Sequence, residues 1–116
     1  MPINKPWTRF ELATARALRG YLGVYELGDA AGNLLYIGYA GGRSLDGLRG
    51  AIAAHFGDAE ANPVIRDRAA QFRYEVNQMY LTRWTELLAR YRTEHGRAPA
   101  ANEASAEQLP RLGRIG

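Results

Sequence analysis

The chain has 116 residues, 47 % apolar and 23 % charged, with a formal net charge of +3. That length fits one domain whose core needs no staples, and the absence of cysteine excludes disulfides and thiolate zinc sites. No stretch reaches the roughly 20 apolar residues of a membrane helix, and Met1 to Phe10 lacks a signal-type apolar core, so no membrane partner and cytoplasmic residence are expected.

Taken in chain order, Thr8 followed by Glu11 matches a capping box, and Phe10, Leu12, Ala15 and Leu18 follow it. A short opening helix is expected over Arg9 to Arg19. Two apolar runs, Tyr21 to Leu27 and Leu34 to Tyr39, flank the turn-rich Gly28-Asp29-Ala30-Ala31-Gly32-Asn33 and read as a β-hairpin. Gly41-Gly42-Arg43 is a loop, and Ser44 is the expected N-cap of a helix reaching His55. Gly57 to Pro63 reads as a polar loop, and Val64 to Ala70 as a further short helix.

Phe72 to Asn77 alternates large apolar with polar residues, the period of a half-buried strand. From Met79 to His95 the spacing turns helical, with Leu81, Trp84, Leu88 and Tyr91 on one stripe, and Gly96 and Pro99 stop it. Beyond Asn102 little pattern remains. The fold class is therefore α+β: a small three-stranded antiparallel sheet flanked by helices. Three regions are expected, an N-terminal extension with a short helix over 1–20, the main domain over 21–102 and a flexible tail over 103–116.

Gly23-Val24-Tyr25 and Tyr36-Ile37-Gly38 sit on the two hairpin strands, and over Leu22 to Asn102 the order of elements resembles the GIY-YIG nuclease superfamily. The resemblance implies a metal-dependent cut of nucleic acid, with the tyrosines of both strands facing the active site. It assigns catalytic roles to Tyr25, Tyr36 and His55, where a phenol relays a proton and hydrogen-bonds a phosphate oxygen. The family places an arginine four residues before the histidine, to offset charge on the phosphate. Here that residue is Ala51, which leaves Arg49, or Arg43 in the preceding loop, as the displaced candidate.

The family's metal-binding glutamate precedes a pair of large apolar residues by three and four positions. Counting back from Leu87 and Leu88 reaches Trp84. Glu86, about 200° round the helix from Trp84, and Glu75 on the third strand are the remaining carboxylates for Mg²⁺ or Mn²⁺, with Glu86 the candidate ligand. Gly38, Arg43, Trp84 and Asn102 complete the expected ligand-binding set. A pocket of Tyr25, Tyr36, His55 and Trp84 with arginines nearby suits stacking of a base or a flat aromatic ligand.

Four functions follow from these expectations. The leading one is a domain that binds nucleic acid with degenerate phosphodiester-cleavage chemistry. Another is an active metal-dependent endonuclease using the displaced arginine and glutamate. A third is a small-molecule binder or recruited enzyme using the aromatic cleft. The last is an interaction module, with exposure of Trp7, Phe10 or Tyr21 as its sign.

Three further features point less far. The glycine-rich turn Gly38 to Ser44 lacks the lysine-serine ending of a P-loop. His55 and His95 share no metal-ligand spacing, so no zinc is expected. Lys5 is the only lysine, and arginine supplies the remaining basic charge, a residue suited to phosphate and carboxylate forks.

Overall fold

A computed structural model describes residues 2–42, 45–57 and 60–104. The fold is α+β, with an antiparallel sheet covered by helices on both faces. The elements run β1 (Thr8–Arg9), α1 (Leu12–Arg16), β2 (Gly23–Gly28), β3 (Leu34–Ala40), α2 (Gly47–Ala53), α3 (Pro63–Arg68), β4 (Gln71–Val76), α4 (Tyr80–His95) and α5 (Ala100–Ala104). Strand order is β1-β4-β2-β3, so the sheet has four strands rather than the expected three. The extra strand pairs Thr8 with Phe72 and Arg9 with Gln71, two residues that carry no alternation to read.

All six residues of β2 are buried. A central strand covered on both sides sends successive side chains to opposite layers. Tyr25 and Leu27 join Phe72, Leu48, Ile52 and Ile65 in one core cluster, with Phe10, Tyr36 and Tyr74 packed against it. Val24 joins Ile3, Ile37, Leu87 and Leu88 in the other, flanked by Tyr80, Trp84 and Tyr91. α4 therefore covers one face and the shorter helices the other.

Helix bounds differ from expectation where caps or packing intervene. α1 starts at Leu12, because Glu11 is the N-cap and its backbone N–H donates to Thr14 Oγ1 at 3.2 Å. The residues before it pair with β4 instead. α2 begins after Asp46, whose φ of 66° is left-handed, and its last residue is Ala53, leaving His55 just past the helix end. Ser44, the expected cap, lies outside the described residues.

α3 is capped by Asn62, whose side chain accepts from the Val64 N–H, with Pro63 at the first helical position. In α4 the buried pair is Leu87 and Leu88, while Leu81 of the expected stripe is 50 % exposed. Gly96 ends it with φ 78°. The start of the expected tail contributes to α5, and residues 105–116 lie outside the described residues.

β3 is a sheet edge, and its outer backbone is sealed by side chains. Asn102 Oδ1 accepts from the Ile37 N–H at 2.8 Å, and its Nδ2 donates to the Ile37 carbonyl at 3.0 Å. Trp84 Nε1–H donates to the same carbonyl at 3.0 Å. An edge closed in this way offers no template at Ile37 for another chain. Asn102→Ala removes two buried hydrogen bonds and strands the Ile37 N–H. It is expected to cost about 2–4 kcal/mol in urea denaturation, and a loss below about 0.5 kcal/mol would mean α5 is not held by this contact.

Candidate functional site

Pairing across β2 and β3 sets Tyr25 opposite Gly38 and Leu27 opposite Tyr36. The Tyr25 ring lies over Gly38, where a Cβ would stand 2.5 Å from the ring Cζ and 2.6 Å from the hydroxyl. Glycine at this position is thus a matter of space rather than of backbone angle. The ring is aimed at the residue that follows α2. Tyr25 Oη and His55 Nε2 are 2.7 Å apart, and the Tyr36 and His55 rings meet edge-on at 5.4 Å.

Glu60 completes the group. Its Oε1 is 2.5 Å from His55 Nδ1, and its Oε2 accepts from the Asn62 N–H at 2.8 Å. Asn62 in turn donates through Nδ2 to the Ala101 carbonyl at 2.9 Å, so the N-cap of α3 ties the carboxylate to α5. Glu60 beside Nδ1 favours the tautomer that carries its proton there, in which Nε2 accepts from the Tyr25 hydroxyl. The result is a phenol–imidazole–carboxylate chain whose His55 and Glu60 side chains are 13 % and 11 % exposed.

Burial raises the Tyr25 hydroxyl well above its ordinary value, and the nearby Tyr36 and Glu60 add to the shift. Tyr36 is raised by burial first, then by Glu60 and Tyr39. Both phenols stay neutral at physiological pH. Among the described residues the Tyr25 hydroxyl meets His55 Nε2, with Glu60 against the other ring nitrogen, an arrangement able to pass a proton between phenol and imidazole.

The other expected site residues are not brought to this group. Arg49 makes a bidentate pair with Asp46 at 2.7 and 2.8 Å on the surface, and no described contact joins it to the tyrosines. Arg43 lies outside the described residues. Trp84 is on the opposite face of the sheet, against Tyr39 at 5.1 Å, so it forms no wall with Tyr25. Glu86, 61 % exposed, pairs with Arg83, which also holds Glu75. Asn102 is buried with its amide spent on Ile37. Gly38 is the cradle of Tyr25.

Mg²⁺ or Mn²⁺ does not fit this donor set. Glu60 is the carboxylate at the tyrosines, and each of its oxygens already has a partner. No group of three or more His, Asp or Glu side chains able to hold a metal forms among the described residues. A hard cation wants several oxygen ligands, whereas the described side chains around Tyr25 are phenols, an imidazole and one carboxylate already hydrogen-bonded through both oxygens.

A family model described as a domain of unknown function (DUF7508) matches residues 1–94. The chain belongs to the DUF7508 family. No curated protein and no solved structure matches it. The DUF7508 match spans Tyr25, Tyr36, His55 and Glu60, and stops short of α5.

Glu60 was not singled out by the sequence. It sits in a loop five residues after His55, and no helical or strand period relates the two. The one local signal is its place two residues before an Asn-Pro helix start.

Two predictions follow from the phenols and their cradle. In a spectrophotometric titration of the seven tyrosines, Tyr25 and Tyr36 ionise last, and Glu60→Gln brings both to lower pH. Because the folded state keeps these protons beyond the ordinary value of 10.0, stability is full below that pH and falls as pH rises past it. Seven tyrosines titrating together would show the group to be open. Gly38→Ala drives a methyl into the Tyr25 ring and is expected to cost about 1–3 kcal/mol in urea denaturation. In a Tyr25→Ala background, which carries its own cavity cost, the same Gly38→Ala change is expected to add less than about 0.5 kcal/mol.

Proposed function

We propose that this chain is a GIY-YIG-like domain that binds nucleic acid and lacks metal-assisted phosphodiester cleavage. The carboxylate at the tyrosines supports this reading best. Glu60 is committed to His55 and Asn62, while the positions matching the family's arginine and glutamate hold Ala51, packed against the core, and Trp84, on the other face. No described arginine contacts the tyrosines to offset charge on a phosphate in a cleavage transition state. Binding draws on the excess of arginine and on the partly exposed Tyr36 ring.

A second reading is favoured by the 2.7 and 2.5 Å links of the relay. Tyr25, His55 and Glu60 would then run proton-transfer chemistry that needs no metal, with Tyr36 and the His55 edge meeting the substrate.

Both readings are tested with labelled single-stranded and duplex DNA and RNA, with Mg²⁺, with Mn²⁺ and with chelator. Binding that weakens steeply with salt, and no cleavage above that of Tyr25→Phe, is the expected result. Metal-dependent cleavage abolished by Tyr25→Phe would overturn the loss of chemistry. Cleavage that persists in chelator and disappears in His55→Ala would favour the relay. Absence of binding at about 50 mM salt would remove nucleic acid as the partner.

A further inference from the structure

On the α4 face, away from the tyrosines, a cavity of about 700 Å³ opens between the end of the hairpin and the C-terminal half of α4. That volume lies within the roughly 300–1,000 Å³ of small-molecule sites. Its lining mixes apolar walls with charge, four arginines against two glutamates. One of them, Glu26, stands on the central strand with its side chain 3 % exposed. Burial raises its carboxyl, against the pull of Arg73.

A buried ion pair on a central strand adds little stability, since an apolar pair of similar volume does as well. Its value lies in what it positions. Arg73 donates to Glu26 at 2.7 Å, and its guanidinium lies 4.1 Å from the centre of the Trp7 ring. The charge at the cavity floor is thereby fixed in place before any ligand arrives, which lowers the ordering cost of binding.

The wall supplies two more elements. Tyr91 and His95, one helical turn apart on α4, stack face to face with centroids 4.1 Å apart and planes 27° from parallel, so a further ring can add to the stack on the outer face of the pair. Beside it, Arg90 reaches only Glu94, at 3.3 Å and half exposed. Arg97 has no ion pair or hydrogen bond among the described residues. Flat surface, available arginine forks and a buried acceptor match three parts of one ligand.

We propose that this cavity binds a molecule that joins a flat ring to an anionic group, of the nucleoside-monophosphate type. The ring lies against Tyr91 and His95, the phosphate pairs with Arg90 and Arg97, and a hydroxyl or ring amine donates to Glu26. The site is separate from the Tyr25 group and does not rest on the function proposed for it. The same chemistry arrives as a free nucleotide or as the 5′-phosphorylated end of a strand.

Calorimetry with the full chain tests it, using AMP, adenosine, inorganic phosphate and a 5′-phosphorylated oligonucleotide as probes. AMP is expected to bind saturably, and adenosine and phosphate each at least about tenfold more weakly. The double variant Arg90→Ala/Arg97→Ala, altered only at exposed positions, is expected to weaken AMP at least about tenfold while its melting temperature stays within about 2 °C. Tyr25→Phe should leave AMP binding unchanged, which separates this site from the tyrosine group.

Tighter binding of the oligonucleotide than of AMP, lost in the same double variant, would support the site and identify its occupant as a strand end. No saturation with AMP or oligonucleotide to about 10 mM would overturn the proposal. So would equal affinity for AMP and phosphate, or AMP binding indifferent to the double variant.

Discussion

β2 is buried on both faces, and that constraint organises everything else in the molecule. With a side-chain period of two, each of its residues is assigned to one layer or the other. Tyr25 falls on the side of α2, α3 and α5, while Val24 falls on the side of α4. Glu26 is paired across the sheet with Arg73 and Ile37, on the same side as Val24. A one-residue slip in register would send Tyr25 toward α4 and leave His55 without its partner.

Each face carries a polar group in a setting that penalises charge, and the two are solved differently. Around Tyr25 the cost is reduced by keeping the phenol neutral and giving both Glu60 oxygens hydrogen bonds. Around Glu26 the charge is matched by Arg73, itself held against Trp7. Among the described residues, no buried side-chain nitrogen or oxygen is left without a partner. The first arrangement sets a proton donor against an acceptor, and the second fixes a buried carboxylate beside an arginine.

The N- and C-terminal segments tie these faces together. Ile3 enters the α4-side core and Trp7 lies over Gly28, close enough that a Cβ there would stand 2.8 Å from the indole. Phe10 stacks on Phe56 at 4.0 Å and Trp7 packs under Arg73, so two of the three aromatics that exposure would have marked for partner docking are half-buried against the fold. Tyr21 is 50 % exposed. At the other end, α5 seals Ile37 through Asn102 and reaches Asn62, the residue that holds Glu60. The edge of the sheet and the candidate site thus share one support.

The sequence by itself determined the local elements: a Gly/Asn-rich turn between two apolar runs makes a hairpin, alternation from Phe72 makes a strand, and Gly96 stops a helix. Tyr25 and Tyr36 were legible as strand neighbours from the hairpin, while His55, 30 residues from Tyr25, joined them only through the family resemblance. Only the tertiary structure decided the rest. Trp84 and Tyr25 are separated by the thickness of the sheet, a distinction of face that helical spacing alone cannot express. Glu60 reaches His55 from a loop without period, and Glu26 meets Arg73 across 47 residues of chain. Local periodicity fixes which residues share a strand or helix face, whereas the partners of a buried charge are chosen by packing between elements distant in sequence.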